Sequence, residues 1–247
     1  MKKQLSSLEL FFLINELKPL IGGRIEKIYQ DQRSLRIKVY AKTGYELIAG
    51  DGRFHLINFS KKSPETPTSF CMFLRKHIQG RKIIDIRQHE FDRVIDIVFD
   101  EYILILELFH KGNFILTDSA YKIIGALEFQ KWSDRSITKN TIYEYPKAVT
   151  FRNDYQEFRN LLSLSAKNIA STLVTMGFGS TYSEEILAIS GIGKDTGANS
   201  LDDKETKLLL DSINSIMRRD IKPKIVIKDG KIIDAELLTD ISNFIRK

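Results

Sequence analysis

The stretch from Arg81 to Asp118 constrains the fold of this chain more than any other segment does. Apolar and polar residues alternate in its first part, and a nearly unbroken apolar run from Tyr102 to Phe109 follows. Alternation is typical of a half-buried strand, and a continuous apolar run is typical of a central one. Turn residues separate the runs at Asp100-Glu101 and at Gly112-Asn113. The segment therefore predicts an antiparallel meander.

A charged residue interrupts the apolar pattern of this meander. If Val94 to Phe99 forms a strand, Arg93 lies in phase with the row of residues that should be buried. A lone guanidinium in such a row is costly unless it is paired or emerges at the edge of the sheet. We expect the carboxylate of Asp92 to pair with it and a functional site to be built there. The alternative is an ordinary exposed turn ion pair, worth ~0–1 kcal/mol.

Composition limits the chemistry that the chain can perform. Hydrophobic residues make up 43% of the 247 residues and charged residues 28%, which is the composition of a globular protein. The net charge of +6 raises the expectation of an anionic partner such as nucleic acid. A single cysteine, Cys71, excludes an internal disulfide and a multi-cysteine zinc site, so we expect no metal and no cofactor. No run is long and uncharged enough for a membrane span, which favours a cytoplasmic protein that does not bind membranes.

The rest of the chain divides into a β-rich part and a helical part. Ser6 and Glu9 predict a capping box for a first helix that continues to Ile21. Lys131 to Ala148 has the composition of a polar, irregular link, and we place a domain boundary there. The prediction is an α+β fold with a β-rich, sandwich-like domain at 1–140 and a helical domain at 141–247. The helical domain ends in a β-hairpin over Pro223 to Ile233.

A glycine-containing break separates two predicted helices in the second domain. Gly177 and Gly179 permit backbone conformations closed to other residues and close approach to a ligand. The helix that follows presents free N–H groups from Ser180 and Thr181 onwards, and such a helix end binds anions. These four residues are our candidates for a phosphate-binding loop. The alternative is that the glycines only permit tight helix packing.

Two further groups of polar residues are candidates for nucleic-acid binding. Arg75 and Lys76 lie on the exposed face of a predicted helix, and basic residues recur soon after it. His110, Lys111 and Asn113 lie in a predicted turn. Each group has an ordinary explanation, since basic residues often form a solvated helix face and asparagine is common in turns.

Three segments together resemble the NFACT-N domain, the amino-terminal domain of the ribosome quality-control factors. The first is LKPLIGGRIEKIYQ, from Leu17 to Gln30. The second is SFCMFLRKHIQG, from Ser69 to Gly80, followed by Asp92-Arg93 and by ELFHKGNFILTD. The third is GFGSTYSEEILAISGI, from Gly177 to Ile192, which looks like a helix–two-turn–helix element. In this order they cover nearly the whole chain.

The resemblance implies a fold similar to that of formamidopyrimidine-DNA glycosylase and a non-enzymatic RNA-binding role. In that family the Asp-Arg pair is associated with engaging tRNA. The full-length proteins bind the large ribosomal subunit that carries a stalled peptidyl-tRNA. They recruit aminoacyl-tRNA, which is alanyl-tRNA in the bacterial and archaeal branches, and extend the nascent chain without mRNA. Their later modules have no room in 247 residues, so we expect a piece of a longer protein or a short member.

Two rival functions follow from the same resemblance. A DNA glycosylase with lyase activity uses an amino-terminal proline amine as nucleophile, a nearby glutamate and a cysteine-ligated zinc module. Here Lys2 follows Met1, the first acidic residue is Glu9, and one cysteine cannot form the zinc module, although another lysine amine remains available. The other rival is adhesion, because some relatives carry a fibronectin-binding label. No secretion signal supports it.

Overall fold

The structure is a computed structural model. It describes residues 4–50, 52–57, 64–109, 111–220, 224–228 and 231–236, the last two ranges by their backbone alone. Within these ranges no helix combines the length and the apolar character that a membrane crossing requires.

The β-rich part contains two antiparallel sheets and two helices. The helices are α1 (Ser7–Glu16) and α2 (Ser69–Ile78). The four-stranded sheet contains β1 (Arg24–Asp31), β2 (Ser34–Ala41), β3 (Thr43–Gly50) and β4 (Arg53–Leu56). The five-stranded sheet contains β5 (Asp85–Gln88), β6 (Val94–Val98), β7 (Tyr102–Glu107), β8 (Asn113–Asp118) and β9 (Ile123–Ala126). In both sheets each strand pairs with its neighbours in the sequence, which confirms the predicted meander.

The core of this part lies between the two sheets. Buried residues of alternating positions on facing strands form it, such as Ile28 and Ile37 from the first sheet and Ile95 and Leu104 from the second. The period-two pattern places these side chains on one face of each sheet, so the arrangement is a sandwich. The sequence pattern predicted this layer correctly.

Helix α1 joins the sandwich to the helical part. Its predicted capping box is present, with Ser6 as the N-cap and Glu9 as its partner. The predicted continuation to Ile21 is wrong: α1 ends at Glu16, and a short 3-10 turn containing Pro19 follows, since proline cannot donate the hydrogen bond that would extend the helix. Leu10 of α1 packs in the sandwich core, whereas Phe12 packs in the helical core.

In the described residues, the helical part contains four α-helices, which a hairpin follows. The helices are α3 (Tyr155–Ser163), α4 (Ile169–Thr175), α5 (Gly179–Ser190) and α6 (Asp203–Met217). Two short strands, β10 (Gln130–Lys131) and β11 (Ser136–Ile137), precede them. The predicted hairpin is formed by β12 (Lys224–Lys228) and β13 (Lys231–Glu236), and its expected turn, Asp229-Gly230, lies outside the described residues.

Lys131 to Ala148 is mostly exposed and irregular, as predicted, but it is packed against the sheet and is not a free link. The segment covers the outer face of the five-stranded sheet, where Tyr143 is only 4% exposed. Tyr143 donates a hydrogen bond of 2.9 Å to the buried carboxylate of Glu107, and Tyr145 donates one of 2.7 Å to Asp96. Tyrosine combines an apolar ring with a polar tip, which explains how a polar-looking segment lies on a buried surface. The boundary between residues 140 and 141 remains a prediction.

Candidate nucleic-acid interface

Two predicted sites that are far apart in the sequence meet at one cleft. The predicted residues that line it are Asp92, Arg93, Gly177, Gly179 and Ser180. The cleft has a volume of about 390 Å³, and its other walls come from residues 4–7, 148–150 and 174–176. It therefore lies where the turn between β5 and β6 meets the start of α5 and the segment before α1.

The Asp92-Arg93 pair has a different geometry from the one we expected. Asp92 Oδ1 accepts a hydrogen bond of 2.7 Å from the backbone N–H of Arg93, and the described residues show no ion pair between the two side chains. The guanidinium instead donates from Nη1 to Gln4 Oε1 at 3.0 Å, at the end of the sheet. The expected ion pair is thus wrong, because Asp92 satisfies the backbone of the turn. Arg93 is half-buried and emerges at the end of the sheet. This position avoids the cost of an unpaired guanidinium in the buried row.

Gly177 and Gly179 bring α5 against the start of α1. Gly177 has a φ of +104°, and its carbonyl accepts the backbone N–H of Ser7 at 2.9 Å. A Cβ at position 177 would lie 2.6 Å from Ser7 Oγ, and one at position 179, where φ is +75°, would lie 3.1 Å from Ser6 Cβ. Both positions require glycine for packing. The packing interpretation is therefore confirmed, and a phosphate-binding role remains a prediction.

The amino end of α5 still has the features of an anion site. Phe178 is the N-cap residue, and no described side chain caps this helix end. The N–H groups in the first turn of any α-helix have no acceptor within the helix. Ser180 is exposed and lines both the cleft and a neighbouring pocket of about 340 Å³ that contains Lys167. Thr181 lies in the same turn but outside the lining of the cleft.

The basic stretch that starts at Arg75 does not form one continuous patch. Arg75 donates from Nε and Nη2 to the backbone carbonyl of Ile28, at 2.8 and 2.6 Å. Arg81 forms ion pairs with acidic residues of the β6–β7 turn, and Arg87 donates to Tyr121 Oη. Lys76 is exposed on α2. The recurrence of basic residues that favoured a common surface is therefore largely explained by contacts within the fold.

The turn between β7 and β8 is held by hydrogen bonds within the protein. Asn113 is 1% exposed, donates to the carbonyl of Glu128 at 2.8 Å and accepts from its N–H at 3.1 Å. These contacts agree with the turn chemistry that was the ordinary explanation for Asn113, and its contact with RNA remains a prediction. Lys111 is exposed and its carbonyl accepts from Arg33 Nε at 2.7 Å. His110 lies outside the described residues.

The sequence did not indicate two glutamines that contact residues of the cleft. Gln88 donates from Nε2 to the carbonyls of both Ser7 and Asp92, at 2.9 and 2.8 Å, and so ties α1 to the turn that carries Arg93. No local sequence pattern marks Gln4, whose side chain accepts a hydrogen bond from Arg93. Only the capping box gave any indication that the chain around Ser7 was structured. These contacts join positions that are distant in the sequence, so no local pattern reports them.

Burial shifts the ionisation of His89, which precedes the turn that carries Arg93, and of two tyrosines that pack on the five-stranded sheet. Desolvation lowers the pKa of His89, whose ring stacks on that of Tyr145 with 3.4 Å between the centroids. Burial also raises the pKa of Tyr143 and Tyr145. Across the described ranges no group of three potential metal-ligating side chains comes together. The cleft thus offers a guanidinium, hydroxyl groups and a helix end, which suit the binding of an anionic ligand.

Comparison with known families identifies the chain. The family of NFACT N-terminal and middle domains matches residues 7–244. The chain belongs to this family. The predicted NFACT-N membership is therefore confirmed over nearly the whole sequence.

Relatives of this chain include ribosome quality-control proteins. The archaeal Rqc2 homolog aRqcH of Methanocaldococcus jannaschii is 29% identical over 260 residues, covering 95% of this chain and 38% of the relative. The human ribosome quality control complex subunit NEMF is 33% identical over 139 residues, covering 53% of this chain and 13% of the relative. This NFACT chain thus spans well under half the length of either protein.

Solved structures support the fold assignment. The amino-terminal part of the fibronectin/fibrinogen-binding protein from Streptococcus suis superposes with a TM-score of 0.72 at 23% identity, covering 94% of this chain and 90% of that one. The Fpg protein of Lactococcus lactis is also among the similar structures, with a TM-score of 0.47 and 18% identity. The superposition on the Streptococcus suis protein confirms the predicted α+β architecture of this NFACT chain.

Proposed function

We propose that this chain is a non-enzymatic, cytoplasmic tRNA-binding domain of a ribosome quality-control factor. In this proposal it binds aminoacyl-tRNA at an obstructed large ribosomal subunit, where the nascent chain is extended without mRNA. Alanyl-tRNA is the substrate expected if the chain follows the bacterial and archaeal members. Family membership supports the general role, and the cleft supports the choice of ligand.

The observation that carries the proposal is the convergence of Arg93 and the amino end of α5 on one cleft. A guanidinium and an uncapped helix end both favour negative charge. The guanidinium of Arg93 makes one hydrogen bond, to Gln4, among the described residues, so further N–H groups of its planar fork remain for a ligand. Two independent anion-binding groups in one cleft suit the sugar-phosphate backbone of an RNA strand.

Asp92 acts in this proposal as a positioning residue. Its carboxylate accepts the backbone N–H of Arg93, and its own carbonyl accepts from Gln88. Both bonds fix the turn from which Arg93 projects. The negative charge of Asp92 would repel a phosphate, whereas its side-chain oxygen is needed to accept the backbone N–H of Arg93. The charge and the geometry can therefore be separated by mutation.

The experiment is a set of variants assayed for tRNA affinity at several salt concentrations. Arg93→Ala should weaken binding by roughly 1–3 kcal/mol if a base edge is read. If a phosphate is contacted, it should lower the salt slope by about one unit. Arg93→Lys should lose nearly as much as Arg93→Ala, because an ammonium group cannot reproduce the planar fork. Asp92→Asn should retain binding and Asp92→Ala should lose it, because only Asn keeps the acceptor.

Controls separate the site from folding and from net charge. Arg218→Ala removes an exposed arginine that does not line the cleft, and it should leave tRNA affinity nearly unchanged. The double variant of Asp92 and Arg93 to Ala should bind about as weakly as Arg93→Ala, since the two residues act as one unit. Thermal melts of every variant report folding. Wild-type tRNA affinity in folded Arg93→Ala protein would show that the cleft is not the tRNA site.

A further inference from the structure

A cluster of basic side chains surrounds one tyrosine on the four-stranded sheet, away from the cleft. Four cationic groups lie within 6.0 Å of the centroid of the Tyr29 ring. They are Arg36 Cζ at 4.5 Å, Lys27 Nζ at 5.5 Å, Arg75 Cζ at 5.7 Å and Lys38 Nζ at 6.0 Å. We call Lys27, Tyr29, Arg36, Lys38 and Arg75 the basic face.

Strand register brings these residues together. In the pairing of β1 with β2, Lys27 is opposite Lys38 and Tyr29 is opposite Arg36. Their neighbours Ile28 and Ile37 point into the sandwich core, so the basic side chains share the outer surface of the sheet. Arg75 joins them from α2, which lies beside the edge strand β1 and is held there by the carbonyl of Ile28.

The charge on this surface contributes to the fold only in part. Among the described residues Glu46 lies 2.6 Å from Arg36 and 3.8 Å from Lys38, and Arg75 donates to the carbonyl of Ile28. Lys27 and Lys38 form a direct cross-strand pair of like charges, and such pairs destabilise a sheet. Concentrated positive charge on a surface attracts anionic partners and raises their rate of association. The arrangement is therefore better explained by binding than by stability.

The members of the basic face differ in accessibility. Lys27 is exposed, and the side chain of Lys38 is 35% exposed. The side chain of Arg36 is only 9% exposed and pairs with Glu46, so it packs under the exposed lysines and is not available to a ligand. The cations around the ring of Tyr29 leave it poorly placed to stack on a base. The accessible groups are thus ammonium groups, which contact phosphates and carry no sequence information.

We propose that the basic face is a second RNA-contact surface, which binds the phosphate backbone of double-stranded RNA without reading its sequence. The proposal rests on the function proposed above in taking RNA as the partner. A membrane surface is less suitable, because interfacial binding needs several apolar side chains to insert. Around the basic face the apolar side chains on the outer surface of the sheet are few, such as Tyr40 and the half-buried Ile48. The residues that line the cleft in the described part of the chain are all different from those of the basic face. The two surfaces can therefore be tested separately.

The test uses Lys27→Gln combined with Lys38→Gln in the full chain. The probe is a blunt-ended RNA duplex without unpaired nucleotides. Loss of two phosphate contacts should reduce the salt slope by about two units and the affinity on the order of tenfold to a hundredfold at about 0.1 M salt. Stability to urea should stay the same or rise, because the like-charge pair is removed.

A matched control makes the same change in net charge elsewhere. Lys204 and Lys207 are exposed on α6, and their double change to Gln should leave duplex affinity within about twofold of wild type. An equal loss in both double variants would overturn the proposal, because net charge alone would explain it. Unchanged duplex affinity in the Lys27/Lys38 variant would overturn it too. So would binding to phosphatidylserine vesicles as tight as to the duplex and equally dependent on Lys27 and Lys38.

Arg93→Ala in the same assays keeps the two proposals distinguishable. We expect it to weaken tRNA binding and to leave duplex binding intact. If Arg93→Ala binds tRNA normally while the Lys27/Lys38 variant loses the duplex, the cleft proposal fails and the basic face stands. If Arg93→Ala loses tRNA while the Lys27/Lys38 variant keeps duplex affinity, the basic face fails and the cleft stands.

Discussion

Replacing Ser180 by Asp separates the two roles that the amino end of α5 can have. Ser180 is the second residue of α5, is exposed and lines the cleft. A carboxylate in the first turn interacts favourably with the helix dipole, especially where no described side chain caps the end. The same carboxylate would repel a phosphate in the cleft. Stability and RNA affinity should therefore change in opposite directions.

The magnitudes follow from the position of Ser180. A carboxylate in an exposed first turn contributes about 0.3–1 kcal/mol, so the free energy of unfolding should rise by that amount. Two negative charges about 4 Å apart repel by about 1 kcal/mol in water and about 4 kcal/mol near a protein surface. Since Ser180 is exposed, the lower part of this range applies. We expect tRNA affinity to fall roughly five- to thirtyfold, and less at high salt.

The assay combines urea unfolding with fluorescence anisotropy of labelled tRNA at several salt concentrations. The matched control is Ser69→Asp, which places the same carboxylate in the exposed first turn of α2, outside the lining of the cleft. The control should also gain stability, though less because the side chain of Thr68 already caps α2, and it should show no change in affinity. If Ser180→Asp raises stability and binds tRNA like wild type, no phosphate meets this helix end. Gly179→Val is a poorer probe, because the added Cβ would lie 3.1 Å from that of Ser6.

Two further predictions concern chemistry and pH. Borohydride treatment with abasic DNA should trap no covalent adduct of the protein. Lys2 occupies the position of the glycosylase nucleophile, and Glu9 is engaged in the capping box. A saturable, stoichiometric adduct on a gel would contradict the non-enzymatic proposal. Stability to urea should decrease as pH falls from about 7 to about 5, because burial holds the pKa of His89 in the folded chain below its ordinary value of about 6.5, so protonation favours unfolding. His89→Phe keeps a ring against Tyr145 and should flatten this dependence, whereas an unchanged slope would assign it to other groups such as His55, whose pKa is also lowered.

Local patterns predicted the elements of the fold well. Alternation and apolar runs located the strands of the meander, and the Ser6–Glu9 box located the start of α1. These features depend on neighbouring residues, which is why one sequence suffices to recognise them. The end of α1 was missed because Pro19 acts on the residues before it, and the apolar spacing continues past the break.

Contacts between distant positions were not predictable in the same way. Asp92 was expected to pair with the guanidinium of Arg93, but the hydrogen bond to the backbone depends on the geometry of the turn. The basic face required the register of β1 with β2, which places Lys27 opposite Lys38. The residues of 131–148 looked like a linker because the buried partners of its tyrosines, such as Asp96, lie in another strand. Register and partner choice arise from tertiary packing.

The membership of α1 in two cores has a consequence for folding during synthesis. Leu8 and Phe12 are among the first residues to be translated, yet they pack with residues from Phe151 onwards. Glu9 likewise has a partner that is translated much later, Tyr182, whose hydroxyl donates to it at 3.2 Å. The sandwich can close as soon as β9 has emerged, but one side of α1 then stays open to solvent. Such a delay exposes apolar surface to association, so a chain released at residue 140 should be prone to aggregate.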